Sequence, residues 1–351
     1  MGYKTSGGFE SELWRVRRDL NLVGHSNSFL GSRPSGIPNH VKSFGQRSVR
    51  RSTWLSYGPA KQLRKFHRRL KYSQRRATAT GDVSLGELVF IGLGLYDELG
   101  LSLRGQAEAS ACDEVFAELY TSVMPGLSLE NLTRRIARPV KVLSRRDVEE
   151  DAEIKILSRA RSRKVAFMVP GDPMVATTHV DLRLRAEKAG IRTRVIHSAT
   201  VVSAAAGVTG LQSYKFGRTI TVPISRENAL PESVYAGLRA NFECRLHSLI
   251  LLEVDVESGQ HVTIAQALER LLAFSAHTED RLIRPETLTV GLARLEAPNM
   301  IVRASTASNI MRLDFGQPPY CLIFPSSLHF VEAEALQVFC EASRDLVGST
   351  N

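Results

Sequence analysis

Short, almost unbroken apolar runs alternate with helix-like segments after Gly81, and this alternation constrains the fold more than any other feature of the chain. The clearest run is 164–170 (KVAFMVP), which Gly171-Asp172-Pro173 terminates. Strands that are apolar on both faces are typical of parallel sheets with helices covering both sides. The alternation therefore predicts an α/β protein built on a mainly parallel sheet.

The same pattern divides the chain into a basic extension, 1–83, and two α/β lobes, 84–199 and 200–351. A ligand is then expected in the cleft between the lobes. The predicted strands are 88–91, 115–119, 140–143, 164–170, 193–197, 219–224, 248–254, 287–295 and 321–325, with 301–304 as a partner of 287–295. The predicted helices are a segment ending near 163 and 102–110, 178–189, 201–208, 231–245, 263–275, 308–313 and 331–343.

Positive charge is concentrated at the N-terminus. Residues 1–83 contain 17 basic and 4 acidic side chains, a net charge of +13, although the whole chain carries only +10. A basic helix over 61–76 (KQLRKFHRRLKYSQRR) would suit an arm that binds nucleic acid or the ribosome. A transit-like peptide has the same composition. We favour a disordered extension, because charge runs without an apolar core are usually solvated.

Several classes of protein and of site are disfavoured. No run approaches the ~20 apolar residues that cross a bilayer, and no apolar segment of a secretory signal follows Met1, so a cytoplasmic protein is expected. The four cysteines lie far apart and the nine histidines include no pair at metal-ligand spacing, so neither a disulfide scaffold nor a metal site is expected. The motifs of serine hydrolases, P-loop proteins, zinc proteases and kinases are absent. We therefore expect the reactive group to come from a ligand that the protein positions.

Two turns at strand ends are candidate ligand contacts. Gly92-Leu93-Gly94 follows a predicted strand but lacks the last glycine of the dinucleotide fingerprint, because Asp97 stands there. The segment 171–179 (GDPMVATTH) follows the clearest strand, at the edge where open α/β sheets bind ligands. Asp172 is a candidate acceptor for a ribose or an amino group, or else an Asx-turn residue before the next helix. His179 is expected to be structural.

Eight segments of the chain form a recognisable set. They occur in this order: 90–97 (FIGLGLYD), 116–122 (FAELYTS), 143–148 (LSRRDV), 171–179 (GDPMVATTH), 210–217 (GLQSYKFG), 291–294 (GLAR), 314–319 (DFGQPP) and 328–332 (LHFVE). Together they resemble the diphthine synthases, a family of methyltransferases with a tetrapyrrole-methylase-like fold. The resemblance covers nearly the whole chain after Leu88, and the extension 1–83 has no counterpart in it.

The resemblance implies S-adenosylmethionine as the methyl donor, bound in the cleft between two α/β lobes, and a homodimeric enzyme. It implies translation elongation factor 2 as the protein substrate, at a histidine that carries a 3-amino-3-carboxypropyl group. The amino group of that side chain is methylated repeatedly in diphthamide biosynthesis. No catalytic acid or base is assigned, because a sulfonium methyl is itself a good electrophile. The cofactor contacts that the resemblance implies are Leu95, Asp172, Val175, Thr200, Val201, Leu252, Leu295 and Tyr320.

The chain departs from the family pattern at three places. Thr200-Val201 stands where the family usually has Ser-Ile, a change that keeps a hydroxyl and a β-branched wall. Tyr320 stands where the family usually has a histidine. The chain is also short after Asp255, which favours repeated N-methylation over an additional methyl ester.

Two alternatives remain. One is a methylase of the same fold that acts on a tetrapyrrole precursor, against which 214–217 (YKFG) and 291–294 (GLAR) argue, since both belong to the diphthine synthase pattern. The other is a nucleic-acid-binding protein that acts through 1–83. The rest of the chain, with 29 basic and 32 acidic side chains, offers no basic surface to extend such a site.

Overall fold

In the computed structural model, the first five apolar runs pair into one sheet. The structure describes residues 86–225, 227 and 229–348, so 1–83 and the helix predicted at 61–76 lie outside the described residues. The strands are β1 (Glu87–Gly92), β2 (Glu114–Glu118), β3 (Val140–Leu143), β4 (Lys164–Val169) and β5 (Arg192–Ile196). Their order is β3-β2-β4-β1-β5, and every pairing is parallel, which confirms the predicted parallel sheet.

Helices cover both faces of this sheet, because successive residues of a strand point to opposite sides. Phe90 and Phe167 pack in one layer, and their chain neighbours Ile91 and Met168 pack in the other. All four side chains are fully buried. The helices are α1 (Leu103–Ser110), α2 (Leu129–Ile136), α3 (Arg145–Glu149), α4 (Ser158–Ala160) and α5 (His179–Lys188), with a 3-10 turn at Glu98–Gly100 and a π-helical turn at Glu153–Leu157.

The second sheet is mixed. Its strands are β6 (Ile220–Val222), β7 (Ser248–Leu252), β10 (Leu288–Ala293), β11 (Ile301–Thr306) and β12 (Tyr320–Phe324), and a separate hairpin consists of β8 (Val254–Asp255) and β9 (Gln260–His261). The order is β11-β10-β12-β7-β6, and within it β6 and β7 pair parallel while the other pairs are antiparallel. The predicted pairing of 301–304 with 287–295 is confirmed. The antiparallel pairing of these strands was not predicted from the sequence. Alternation of strands and helices does not specify between which strands, or in which direction, a new strand inserts.

Helix α6 (Val201–Thr209) packs with the second sheet, since Ala205 belongs to the same apolar cluster as Leu249 and Leu336.

None of the helices within the described residues combines the length and apolar content that a bilayer crossing demands. The remaining helices are α7 (Glu232–Glu243), α8 (Ile264–Ala276), α9 (Ala307–Ile310), α10 (Phe330–Cys340) and α11 (Arg344–Gly348), with a 3-10 turn at Ser213–Lys215.

Two helices differ from the sequence prediction. Patterning predicts no helix where α2 lies, because only Leu132 and Ile136 form its buried face; the Ser128 side chain caps its first turn. Helix α3 begins inside a stretch that patterning treats as a polar linker. Ser144 and Asp147 form a capping box there, which satisfies the free backbone N–H groups of the first turn.

A buried ionic cluster fixes the start of α10. The Glu332 side chain is fully buried, and its carboxylate accepts hydrogen bonds from His329 N (2.8 Å), Gln212 N (2.9 Å) and His247 Nε2 (3.0 Å). The Lys215 ammonium group also pairs with it. Burial acts to raise the pKa of the Glu332 carboxyl, but the hydrogen bonds outweigh burial and lower this pKa to about 2.

Candidate functional site

Two glycine turns meet at the carboxyl ends of β1 and β4, which are neighbours in the first sheet. Gly171 N donates to Gly94 O over 2.7 Å, and Gly94 N donates to Gly171 O over 3.3 Å. Their φ angles are +66° and +84°, values that residues with a Cβ rarely adopt. The turns at 92–94 and 171–173 therefore form one structure, at the edge where open α/β sheets bind ligands.

The close approach of these turns depends on Gly92. A Cβ at this position would lie 2.5 Å from Gly171 O and 2.7 Å from Ser198 Cβ. Both distances are far inside van der Waals contact, and the carbonyl belongs to the backbone of the opposite turn. A hydrogen atom is thus the only side chain that this packing accommodates.

Asp172 connects the second turn to the segment after β5. Its carboxylate is buried; one oxygen accepts from Met174 N over 3.0 Å, and the other lies 2.7 Å from His197 Nδ1. The second oxygen also accepts from Ser198 N over 3.3 Å. The contact with Met174 N is that of an Asx turn, which was one of the two roles considered for Asp172. The carboxylate therefore holds two strand-end segments together at the wall of a cavity.

The cavity has a volume of about 590 Å³, within the range of small-molecule sites. Residues at the carboxyl edge of the first sheet line one side, and residues of the second sheet line the other. The structure brings all of the predicted cofactor contacts to this one cavity, and their contact with a cofactor stays a prediction. The predicted residues that line it are Leu95, Asp172, Val175, Thr200, Val201, Leu252, Leu295 and Tyr320.

Three of these residues form the wall from the second sheet. Leu252 ends β7, Leu295 follows β10, and Tyr320 begins β12. The Tyr320 side chain is largely buried, and its hydroxyl donates to Gly316 O. The residue that departs from the family pattern thus lines the cavity, and its hydroxyl is hydrogen-bonded to the loop that precedes β12.

The cavity also has a polar part for which no residues were predicted. It is lined by Tyr120, Thr121, Ser122, Arg145, Glu149, Thr177, Thr178 and Glu253. Most of these residues belong to the segments 116–122, 143–148 and 171–179, which carried the resemblance without a role for these positions. Only the strand order places the end of β2 and the start of α3 beside the glycine turns.

A buried carboxylate holds the backbone of this polar part. Glu118 accepts hydrogen bonds from Tyr120 N (3.1 Å), Thr121 N (3.1 Å) and Thr121 Oγ1 (2.6 Å). Burial outweighs these bonds and raises the pKa of Glu118 to about 7. His179 Nε2 lies 3.7 Å from Glu118 Oε1, and burial lowers the pKa of His179 to about 4, so this imidazole is neutral at pH 7.

The arrangement suits a ligand that has both apolar and polar groups. The lining combines backbone turns and aliphatic side chains with hydroxyl, carboxylate and guanidinium groups. Across the described residues, no three His, Cys, Asp or Glu side chains converge as a metal ion would require. A cavity with this lining suits a small-molecule ligand, and the backbone of the paired turns at Gly94 and Gly171 forms part of its wall.

Comparison with known families places the chain among methylases. Residues 87–284 match the family model of the tetrapyrrole (corrin/porphyrin) methylases. This stretch contains β1 to β9 and most of the cavity residues described above.

The chain is also similar to individual proteins over most of their length. The diphthine synthase of Methanothermobacter thermautotrophicus is 44% identical over 260 residues, which are 74% of this chain and 98% of that protein. The diphthine synthase of Methanocella arvoryzae is 42% identical over 71% of this chain and 96% of that protein. A crystal structure of diphthine synthase matches with a TM-score of 0.67 and 34% identity, over 75% of this chain and 99% of that one.

Proposed function

Because the chain belongs to the diphthine synthases, a family within the tetrapyrrole methylases, we propose that it methylates translation elongation factor 2 with S-adenosylmethionine as the donor. The acceptor is the amino group of a 3-amino-3-carboxypropyl-histidine, which receives methyl groups in succession during diphthamide biosynthesis. The observation that carries this proposal is the cavity at the paired glycine turns, where all the family's implied cofactor positions converge. The chain is short after Asp255, which ends β8 and is followed closely by β9, and this favours N-methylation without an additional methyl ester.

The residues around the cavity fit the cofactor. Gly94 and Gly171, one in each turn, line the cavity without a side chain, so a nucleoside can approach the backbone there. Leu95, Val175 and Val201 provide apolar contact from the segments that follow β1, β4 and β5, and Leu252 provides it from the end of β7. S-adenosylmethionine supplies a sulfonium methyl, which reacts with a neutral amine that approaches in line.

The protein therefore has two tasks: it positions the methyl donor and the acceptor amine, and it removes water from that amine. The proposed cofactor-binding residues hold the donor at the glycine turns, while the polar part of the cavity receives the acceptor. Enclosure by two sheets excludes water from the amine, which favours its neutral, nucleophilic form. We assign no catalytic acid or base to any residue.

Replacing Asp172 by alanine is expected to weaken binding of S-adenosylhomocysteine by about tenfold or more, because three hydrogen bonds that shape the turn are lost. The rate of methyl transfer at saturating donor is expected to change less. Calorimetry with S-adenosylhomocysteine measures the first quantity, and single-turnover methylation of modified elongation factor 2 measures the second.

The matched control is Asp181→Ala, because the Asp181 side chain is 73% exposed on α5 and outside the cavity. It is expected to leave both quantities unchanged. Unchanged cofactor affinity in the Asp172 variant would contradict the proposed role. A wild-type protein that neither binds S-adenosylhomocysteine nor methylates modified elongation factor 2 would overturn the proposed function itself.

We propose the following organisation for the enzyme. The N-terminal lobe extends over 84–199 and the C-terminal lobe over 200–351, since β5 ends at Ile196 and α6 packs with the second sheet. The extension 1–83 precedes both. A cytoplasmic location is proposed, because the elongation factor works on ribosomes in that compartment.

We further propose that the enzyme is a homodimer. Helix α10 exposes Val338 and Phe339 by 68% and 57%, and contiguous exposed apolar surface is uncommon on monomers. Sedimentation is expected to give a dimer for the wild-type protein and a monomer for Val338→Asp. The control Glu334→Gln, at an exposed polar position of the same helix, is expected to remain dimeric. A monomeric wild-type protein would contradict this proposal.

A further inference from the structure

The polar part of the cavity has no role in the cofactor contacts described above. Tyr120, Thr121 and Ser122 enter it from the end of β2, and Arg145 and Glu149 enter it from α3. If the proposed function is correct, this part faces the side chain that is methylated. That side chain is unusual because its amino group and a carboxylate are attached to the same carbon atom.

Two cations line the cavity, and only one of them is placed to meet that carboxylate. The Arg294 side chain is buried, and its Nη groups donate to the carbonyl oxygens of Phe315, Gln317 and Asn299. These bonds tie the Nη groups of Arg294 to the loops before β11 and β12. Arg145 differs, because its guanidinium group is partly exposed and makes an ion pair with Glu149, one turn further along α3.

Arg145 is held on a fixed platform. Its Cζ lies 5.0 Å from the centroid of the Tyr120 ring, within the range of a cation–π contact. Its backbone N donates to Glu257 Oε1 over 3.0 Å, which ties the start of α3 to the turn between β8 and β9. Glu118 in turn fixes the Tyr120 backbone. The base of the side chain and the ring beneath it are therefore positioned, while the guanidinium remains accessible.

The present partner of Arg145 is easy to exchange. Its Nη1 atom lies 3.5 Å from Glu149 Oε1, and the two side chains are 45% and 43% exposed. Ion pairs with this much solvent contact contribute little to stability. A substrate carboxylate that enters the cavity can replace Glu149 and make two parallel hydrogen bonds to the guanidinium, the geometry that arginine favours.

We propose that Arg145 binds the carboxylate of the 3-amino-3-carboxypropyl side chain and thereby determines specificity for the modified histidine. The inference rests on the proposed function. Because the amine and this carboxylate are attached to the same carbon atom, fixing the carboxylate leaves the amine only a small range of positions. The orientation that methyl transfer requires is then set by a residue that does not touch the donor.

The experiment compares two forms of elongation factor 2: one with the 3-amino-3-carboxypropyl group and one with unmodified histidine. Their affinities for the full-length enzyme saturated with S-adenosylhomocysteine are measured by calorimetry. The wild-type enzyme is expected to prefer the modified form. In Arg145→Gln that preference is expected to fall by about tenfold to a hundredfold, the value of a charge-assisted hydrogen-bond pair, with affinity for the unmodified form unchanged. Arg145→Lys, which keeps the charge but not the planar fork, is expected to recover part of the preference.

Arg146→Gln is the matched control. This neighbouring side chain is 76% exposed, pairs with Glu150 and lies outside the cavity. It is expected to behave as the wild type. A kinetic readout accompanies the binding data: Arg145→Gln is expected to raise the KM for modified elongation factor 2 while S-adenosylhomocysteine affinity stays within twofold.

Other outcomes overturn the inference and are distinguishable. Equal loss of affinity for both forms of the elongation factor would make Arg145 a general docking residue. Loss of S-adenosylhomocysteine affinity would assign Arg145 to the carboxylate of the cofactor. An undiminished preference in Arg145→Gln, or no preference in the wild type, would remove the proposed contact. Absence of methyl transfer by the wild-type enzyme would instead count against the proposed function.

Discussion

Replacing Gly92 by valine is expected to lower the affinity for S-adenosylhomocysteine by about a hundredfold, the order of effect when displaced turns lose one or two polar contacts with a ligand. The new Cβ would lie 2.5 Å from Gly171 O and 3.1 Å from Pro173 Cδ. The second turn must therefore move away from the first, and the cavity wall that the two turns form changes shape. Overpacking of this kind also costs about 1–3 kcal/mol of stability.

Gly207→Ala is the matched control for this variant. Gly207 lies on α6, and a Cβ there would meet nothing within 4 Å. Its cofactor affinity is expected to stay unchanged, and its stability is expected to hold or to rise slightly. Thermal unfolding shows whether a variant that no longer binds the cofactor is still folded. If the valine variant does not fold, Gly92→Ala offers a smaller change at the same position. Wild-type affinity in a folded Gly92→Val protein would contradict the proposal that the paired turns hold the cofactor.

Replacing Glu332 by alanine is expected to lower the free energy of unfolding by about 3–5 kcal/mol, the cost of leaving buried charged and polar partners without a counter-group. The variant leaves the buried His247 side chain and the Lys215 ammonium group without their shared acceptor. Two backbone N–H groups, of Gln212 and His329, also lose an acceptor. Urea unfolding of the two proteins measures the difference.

The stabilisation by Glu332 has a defined pH window. Its folded pKa of about 2 lies below the ordinary value of 4.5. The contribution is therefore fully present above pH ~4.5 and is lost as pH falls toward ~2. The difference between wild type and Glu332→Ala is expected to shrink over that range. Glu334→Ala, at an exposed position two residues away, is expected to show neither effect; a similar loss in both variants would point to the helix rather than to the buried cluster.

The part of the site that the sequence predicted is the pair of glycine turns, and it followed from patterns within short segments of the chain. The turns at 92–94 and 171–173 each follow an apolar run, and such runs become strands whose carboxyl ends share one edge of a parallel sheet. The resemblance supplied the individual contact residues, and all eight line one cavity. Asp172 was correctly located at that edge, but its hydrogen bonds to His197 and Ser198 required knowledge of where β5 ends.

The polar part of the cavity shows why the rest could not be predicted. Tyr120 and Arg145 are separated by 25 positions, and nothing in their spacing indicates that one ring supports the other cation. Their contact depends on β2 and β3 being neighbours at the edge of the sheet. The bond from Arg145 N to Glu257 crosses 112 positions, a separation over which sequence periodicity carries no information.

The sequence alone determined where the strands of the two sheets lie, that the first sheet is parallel and where its glycine turns lie, because periodicity and turn chemistry act over a few neighbouring residues. Tertiary structure alone decided that β12 inserts antiparallel between β7 and β10, and that the turns, the aliphatic walls and Arg145 enclose one cavity. The physical reason is that strand order and the packing of the two sheets minimise the free energy of the whole chain. Contacts between distant segments contribute to that minimum without leaving a pattern in either segment.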